Sequence, residues 1–164
     1  MLITAPYDRI KAVEYANKWA YFRNPRFYDF NNIGGDCTNF ASQCLYAGSG
    51  TMNYPAWYYY DINDRSPAWT GVEFLYDFLI KNNGAGPRGE DTGIENVRAG
   101  DLVQLSFSGE RFDHTPVIVS VEYPVTPSKI LVAAHTNNAA CRPLDSYAFT
   151  KIRFIKIKDV GREI

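Results

Sequence analysis

The sequence predicts an α+β fold, with helices packed on one small antiparallel sheet. Apolar residues recur at helical spacing only in the first half of the chain. From Gly100 onward the texture changes to β-branched or alternating runs, each bounded by Gly, Pro or Ser. Helices followed by strands, rather than the two in alternation, argue a segregated architecture. A chain of 164 residues can bury roughly two-thirds of its unfolded surface without staples, so one domain over residues 1–164 is expected.

Taken in order, "YDRIKAVEYANKWAYFRN" sets Ile10, Val13, Ala16 and Ala20 near helical spacing, and Pro25 follows as a stop. A Gly/Asn loop then leads into a second helix starting at Asp36. "TMNYPAWYYYDINDRSPAW" is aromatic and turn-rich without a period, which reads as a surface loop able to carry function. "WTGVEFLYDFLIKNNG" is a third helix closed by Asn and Gly. After "GAGPRGEDTG" come four strands, "GDLVQLSF", "DHTPVIVSVEY", "KILVAAHT" and "TKIRFIKIK".

Composition narrows the function classes. With 12 Tyr, 10 Phe and 3 Trp the chain is rich in aromatic residues, which suggests a ligand-contacting surface. Its formal net charge is −1 and no Lys/Arg run occurs, so nucleic acid is not an expected partner. Cys37, Cys44 and Cys141 form no CxxC pair and cannot all pair, which argues against a disulfide framework. The opening "MLITAPYDRIKAVEYA" lacks an apolar run behind a basic start, so neither a signal peptide nor a transmembrane span is expected there. The expected location is the cytoplasm, or the cell envelope or exterior for a domain of an exported parent. A monomer is expected.

The chemistry centres on "NNIGGDCTNFASQCLYAGSG". Cys37, Phe40, Ala41, Cys44 and Leu45 fall on one apolar stripe of a helix, so Cys37 faces inward toward the sheet. Free cysteine packs well as a small hydrophobe, and Cys44 in mid-helix is read that way. Cys37 differs because it lies in the first turn, behind Gly34, Gly35 and a capping Asp36. Unpaired amides and the positive end of the helix dipole favour a thiolate there.

A nucleophilic cysteine needs a base, and the two histidines of the chain are His114 and His135. His114 precedes one strand and His135 ends the next. Antiparallel pairing of those strands brings both to one edge of the sheet. The tight spacing typical of a zinc site is missing, so no metal and no cofactor are expected.

Four blocks, "GGDCTNFASQCLYAGSG", "RAGDLVQLSF", "DHTPVIVS" and "AAHTNN", together resemble the putative amidase domain family. That family is similar in turn to NlpC-type and CHAP cysteine peptidases and amidases of the papain-like fold. The resemblance covers Asn31 to Tyr147. It implies a helix-borne nucleophile Cys37, His114 as its base and His135 as the orienting third residue. Asparagine fills that third place in papain-like enzymes, so Asn137 and Asn138 stand as alternatives. Cys37's own amide and one upstream donor from Asn31, Asn32 or Tyr28 would meet the oxyanion.

By the same resemblance the expected substrate is a peptide, and within it an amide bond of bacterial cell-wall peptidoglycan. The aromatic stretch Tyr54 to Tyr60, with Trp69, is the candidate lining of its cleft. Two other uses of the fold stay open: a non-catalytic cell-wall-binding module, and an acyltransferase or deamidase working through the same thioester.

Overall fold

The computed structural model describes residues 1–164 and is an α+β arrangement. In chain order the elements are β1 (Leu2–Ala5), α1 (Arg9–Trp19), α2 (Cys37–Ser49), β2 (Tyr59–Asp61), β3 (Asp64–Arg65), α3 (Pro67–Thr70), α4 (Val72–Lys81), β4 (Gly86–Thr92), β5 (Leu102–Ser106), β6 (Val117–Val121), β7 (Ile130–Ala134), β8 (Ala139–Pro143) and β9 (Lys151–Glu163). No helix is long and apolar enough to cross a membrane.

All pairings in the main sheet are antiparallel, in the order β1-β9-β5-β6-β7-β8, while β4 also pairs with β9. Strand β9 is long enough to bind three partners. Ile155 pairs with both Leu102 and Asp91, and Val160 with both Ala5 and Pro87, so β5 and β1 follow one another along one edge and β4 takes the other. Alternation along the strands splits the apolar residues between two faces. Leu102, Val117, Ala133 and Ile155 pack with Phe40, Ala41, Cys44 and Leu45 of α2. Val103, Leu105, Ile118, Val132 and Phe154 form a second, smaller core on the other face, closed by Val97 and Leu144.

Two expectations are corrected by the packing. Helix α2 is buried well beyond the one apolar stripe read from its sequence, because its polar residues Thr38, Asn39, Ser42 and Gln43 are buried as well. Each has a partner, which is the condition for burying it. Thr38 meets the Thr115 hydroxyl at 3.1 Å, and Ser42 donates to the Trp69 carbonyl while accepting from Trp57 Nε1. Asn39 Oδ1 accepts from Trp69 Nε1, and Gln43 Oε1 from the Tyr15 hydroxyl. The aromatic stretch is the other correction. Trp57 and Trp69 are fully buried, with ring centroids 4.7 Å apart, and cover α2 on the side away from the sheet. Only Tyr54 and Tyr60 stand well out in solvent.

Helix α1 starts at Arg9, one residue before Ile10, but its buried face is turned from the one its apolar spacing names. Asp8 caps it by accepting from the Lys11 amide, Ala12, Ala16 and Ala20 face the core, and Ile10 is exposed. The expected third helix is two, since Gly71 in extended conformation separates α3 from α4.

Candidate active site

The start of α2 is held from both sides by a buried carboxylate. Asp36 does not cap the helix with its side chain. Its Oδ1 instead accepts from the Phe30 amide at 2.8 Å and from Asn39 Nδ2 at 2.8 Å. Oδ2 accepts from His135 Nδ1 at 2.5 Å, with the Arg23 guanidinium 3.5 Å away. The Asp36 amide donates to the Thr136 hydroxyl at 2.8 Å. A single residue thereby ties the loop before the helix, the helix itself and the turn joining β7 to β8.

Cys37 follows at the first helical position, only 7% exposed. Its sulfur lies 3.7 Å from Thr38 Oγ1 and interacts with the backbone amide of Thr115. Burial raises the thiol pKa, and those two hydrogen bonds offset the rise only in part. An activated thiolate is therefore not the resting form, because taking the charge out of water outweighs what the helix end contributes. Cys44 is wholly buried, and its pKa is pushed up further by desolvation. Cys141 is exposed.

His114 immediately precedes Thr115. Its backbone exchanges hydrogen bonds with Leu105, which extends the sheet beyond β6. The ring is nearly buried between Phe107 and Tyr147, with centroids 6.1 and 5.6 Å away. Desolvation lowers its pKa to about 4, Asp113 opposing and the Arg142 guanidinium assisting. Neither ring nitrogen makes a hydrogen bond within the chain, so the Cys37–His114 bond expected of the pair is not formed.

His135 lies where antiparallel pairing predicts, just past β7 and at the same end of the sheet as the residues before β6, since Ala133 pairs with Val117. Its ring is spoken for, however. Nδ1 bonds Asp36, Nε2 lies 2.8 Å from the Trp19 carbonyl, and the face stacks on Phe40 at 4.0 Å. Both partners, a carboxylate and a carbonyl, offer only acceptor oxygens. No nitrogen is left to accept from His114. Asn137 and Asn138 do not take its place. Both are exposed in the turn, and Asn138 accepts from Arg23.

The proposed oxyanion donors sit in the loop before Gly34. Tyr28 uses its amide toward the Tyr59 hydroxyl and its carbonyl toward Asn39, leaving a half-exposed ring. The Asn31 and Asn32 side chains are exposed and unbonded. One residue that the sequence reading passed over is Tyr147. Its hydroxyl is closed off from solvent beside His114, and burial raises its pKa, with the Arg142 guanidinium opposing the rise and a Cys37 thiolate adding to it. "LDSYAF" carries no motif that would have drawn attention to it. No group of three His, Cys, Asp or Glu side chains is placed to hold a metal ion.

The sequence is 31% identical over 160 residues to the uncharacterized protein YhbB of Bacillus subtilis (strain 168), covering 89% of this chain and 50% of that protein. It is 26% identical over 140 residues to the uncharacterized protein YjcM of the same organism, covering 80% of this chain and 31% of that one. The chain thus spans half or less of the length of these relatives. No solved structure matches it. Residues 6–158 match the family described as "Putative amidase domain", and the chain belongs to that family.

Proposed function

We propose that residues 1–164 act as one cysteine amidase domain on the papain-like plan shared by NlpC and CHAP proteins, hydrolysing an amide bond through a thioester. One observation carries the reading: Cys37 opens a buried helix with its sulfur against the Thr115 amide, one residue from the unbonded His114 ring. Membership of an amidase family supports the reaction class.

The mechanism starts from a neutral pair. A thiol with a raised pKa beside an imidazole with a lowered one stays uncharged near pH 7, so the proton moves during attack. As sulfur bonds the carbonyl carbon, His114 takes the thiol proton and the carbonyl π electrons pass to oxygen. The Cys37 main-chain amide at the helix start donates to that oxyanion. Collapse breaks the C–N bond, and His114 returns the proton to the leaving nitrogen. Water then attacks the thioester with His114 as base, and the proton goes back to sulfur as the C–S bond breaks.

His135 serves this chemistry indirectly, as the Asp36 partner that keeps the helix start in place. Tyr28, Asn31 and Asn32 rim the approach and serve as substrate contacts. By its sequence blocks the domain is directed to peptides of bacterial cell-wall peptidoglycan.

Mass spectrometry of fragments released from purified peptidoglycan tests bond and reaction together. Cys37→Ala and His114→Ala should release none, whereas His135→Ala should lose thermal stability before it loses activity. A fragment carrying an acceptor other than water would identify acyl transfer. Undiminished release by Cys37→Ala would overturn the cysteine mechanism.

A further inference from the structure

A buried hydroxyl without a partner is rare in folded proteins, because leaving it unmade costs about 1–3 kcal/mol. Only two buried side-chain polar atoms of this chain are so placed, Arg23 Nε and Tyr147 Oη. Arg23 Nε lies 3.3 Å from Asp29 and 3.5 Å from Asp36, so it is electrostatically matched. At Tyr147 the Arg142 guanidinium acts on the hydroxyl oxygen, but as a donor only, so the phenol hydrogen is the group left without an acceptor. Its ring packs against the second core and lies 5.6 Å from the His114 ring. The Arg142 guanidinium stacks on its face, 3.6 Å from the centroid, and is anchored to Ser146 through Oγ and the carbonyl. A guanidinium has no acceptor, so whatever it contributes at the oxygen leaves the O–H free to donate. The guanidinium also supplies positive potential where a negative charge would form.

From this placement, resting on the cysteine-amidase reading above, we infer that Tyr147 is a catalytic residue whose hydroxyl, backed by Arg142, donates a hydrogen bond to the oxyanion of the tetrahedral intermediate. It is the second donor beside the Cys37 amide, a role that the exposed Asn31, Asn32 and Tyr28 side chains do not fill. The hydroxyl keeps its proton throughout. When sulfur adds to the carbonyl carbon the π electrons move to oxygen, the O–H shortens onto that charge, and the contact is released when the C–N or C–O bond breaks. A donor already in place before the charge forms needs no reorganisation at the moment of attack.

Two reagents that use the same sulfur separate this role from others. p-Nitrophenyl acetate acylates a thiol through a tetrahedral oxyanion, whereas iodoacetamide alkylates it by displacement and forms none. Both are applied to the full chain with the exposed Cys141 changed to Ser, and the product at Cys37 is followed by mass spectrometry. Tyr147→Phe should slow acylation of Cys37 by about 10²–10³-fold, the loss seen on removing one oxyanion donor, and leave the alkylation rate within twofold. Melting temperature should not fall, since the variant deletes an unsatisfied group. Arg142→Gln should slow acylation less, again sparing alkylation. Equal acylation by Tyr147→Phe and the parent, or a parallel loss in both reactions, would overturn the assignment. Failure of p-nitrophenyl acetate to acylate Cys37 in the parent would instead overturn the cysteine reading, and this inference with it.

Discussion

His114 is where burial does most to set the chemistry. An imidazole pushed down to about 4 binds fewer protons in the folded chain than in the unfolded one, whose ordinary value is about 6.5. Between those values the unfolded state takes up the extra proton, so stability rises with pH across the window. The contribution is complete above about pH 6.5 and is lost as pH falls toward 4. With the ring only 6% exposed, the shift corresponds to about 3 kcal/mol. Urea titrations of the parent and His114→Gln from pH 4 to 7 should therefore diverge by that order, the parent gaining with pH relative to the variant. Parallel curves would show that His114 is not held neutral by burial.

At the scale of elements, the site depends on how the β7–β8 turn grips the start of α2. Gly35 makes the grip possible. Its φ is +100°, and a Cβ there would lie 3.2 Å from the Thr136 hydroxyl oxygen, the atom that accepts from the Asp36 amide. Gly34 also has a positive φ, +81°, but a Cβ on it would meet nothing within 4 Å. Both Gly→Ala changes carry left-handed strain of about 1–2 kcal/mol. Gly35→Ala adds displacement of Thr136, so it should cost more in a denaturant titration than Gly34→Ala. It should also change the iodoacetamide reactivity of Cys37, whose position the turn secures. Equal costs would mean that the turn yields without disturbing the helix.

Across the whole molecule, α2 is a central helix, with the sheet on one side and α1, α3 and the aromatic stretch around the rest. Trp57 contributes a fully buried ring stacked at 5.7 Å on Phe78 and a hydrogen bond to Ser42 of α2. Trp57→Ala should cost about 3–5 kcal/mol, whereas Tyr54→Ala, 77% exposed, should stay within about 0.5 kcal/mol. Chemical unfolding monitored by circular dichroism would measure both. A small loss at Trp57 would return the aromatic stretch to the surface role read from its sequence.

The local pattern by itself determined the α+β class, the second helix with Cys37 at its start, four of the strands, and the shared sheet end of His114 and His135. Each follows from a period of 3.6 or 2 or from antiparallel geometry, which neighbouring residues encode on their own. Strand β4, "GPRGEDT", has no apolar alternation. It is a strand because β9 offers an edge, and Gly89 suits it because a Cβ would come within 3.0 Å of Ile155 Cγ2. The cations tell the same story. Scattered in sequence, Arg9, Lys11, Arg98, Lys156 and Lys158 come together around one cleft of about 740 Å³ away from Cys37. Tertiary structure alone decided that Asp36 binds His135 rather than capping its helix, that the tryptophans are core, and that Tyr147 stands beside His114. Partners distant in sequence, from 15 residues for Trp57 and Ser42 to 99 for Asp36 and His135, set these outcomes, and desolvation, unlike periodicity, depends on what the rest of the chain covers.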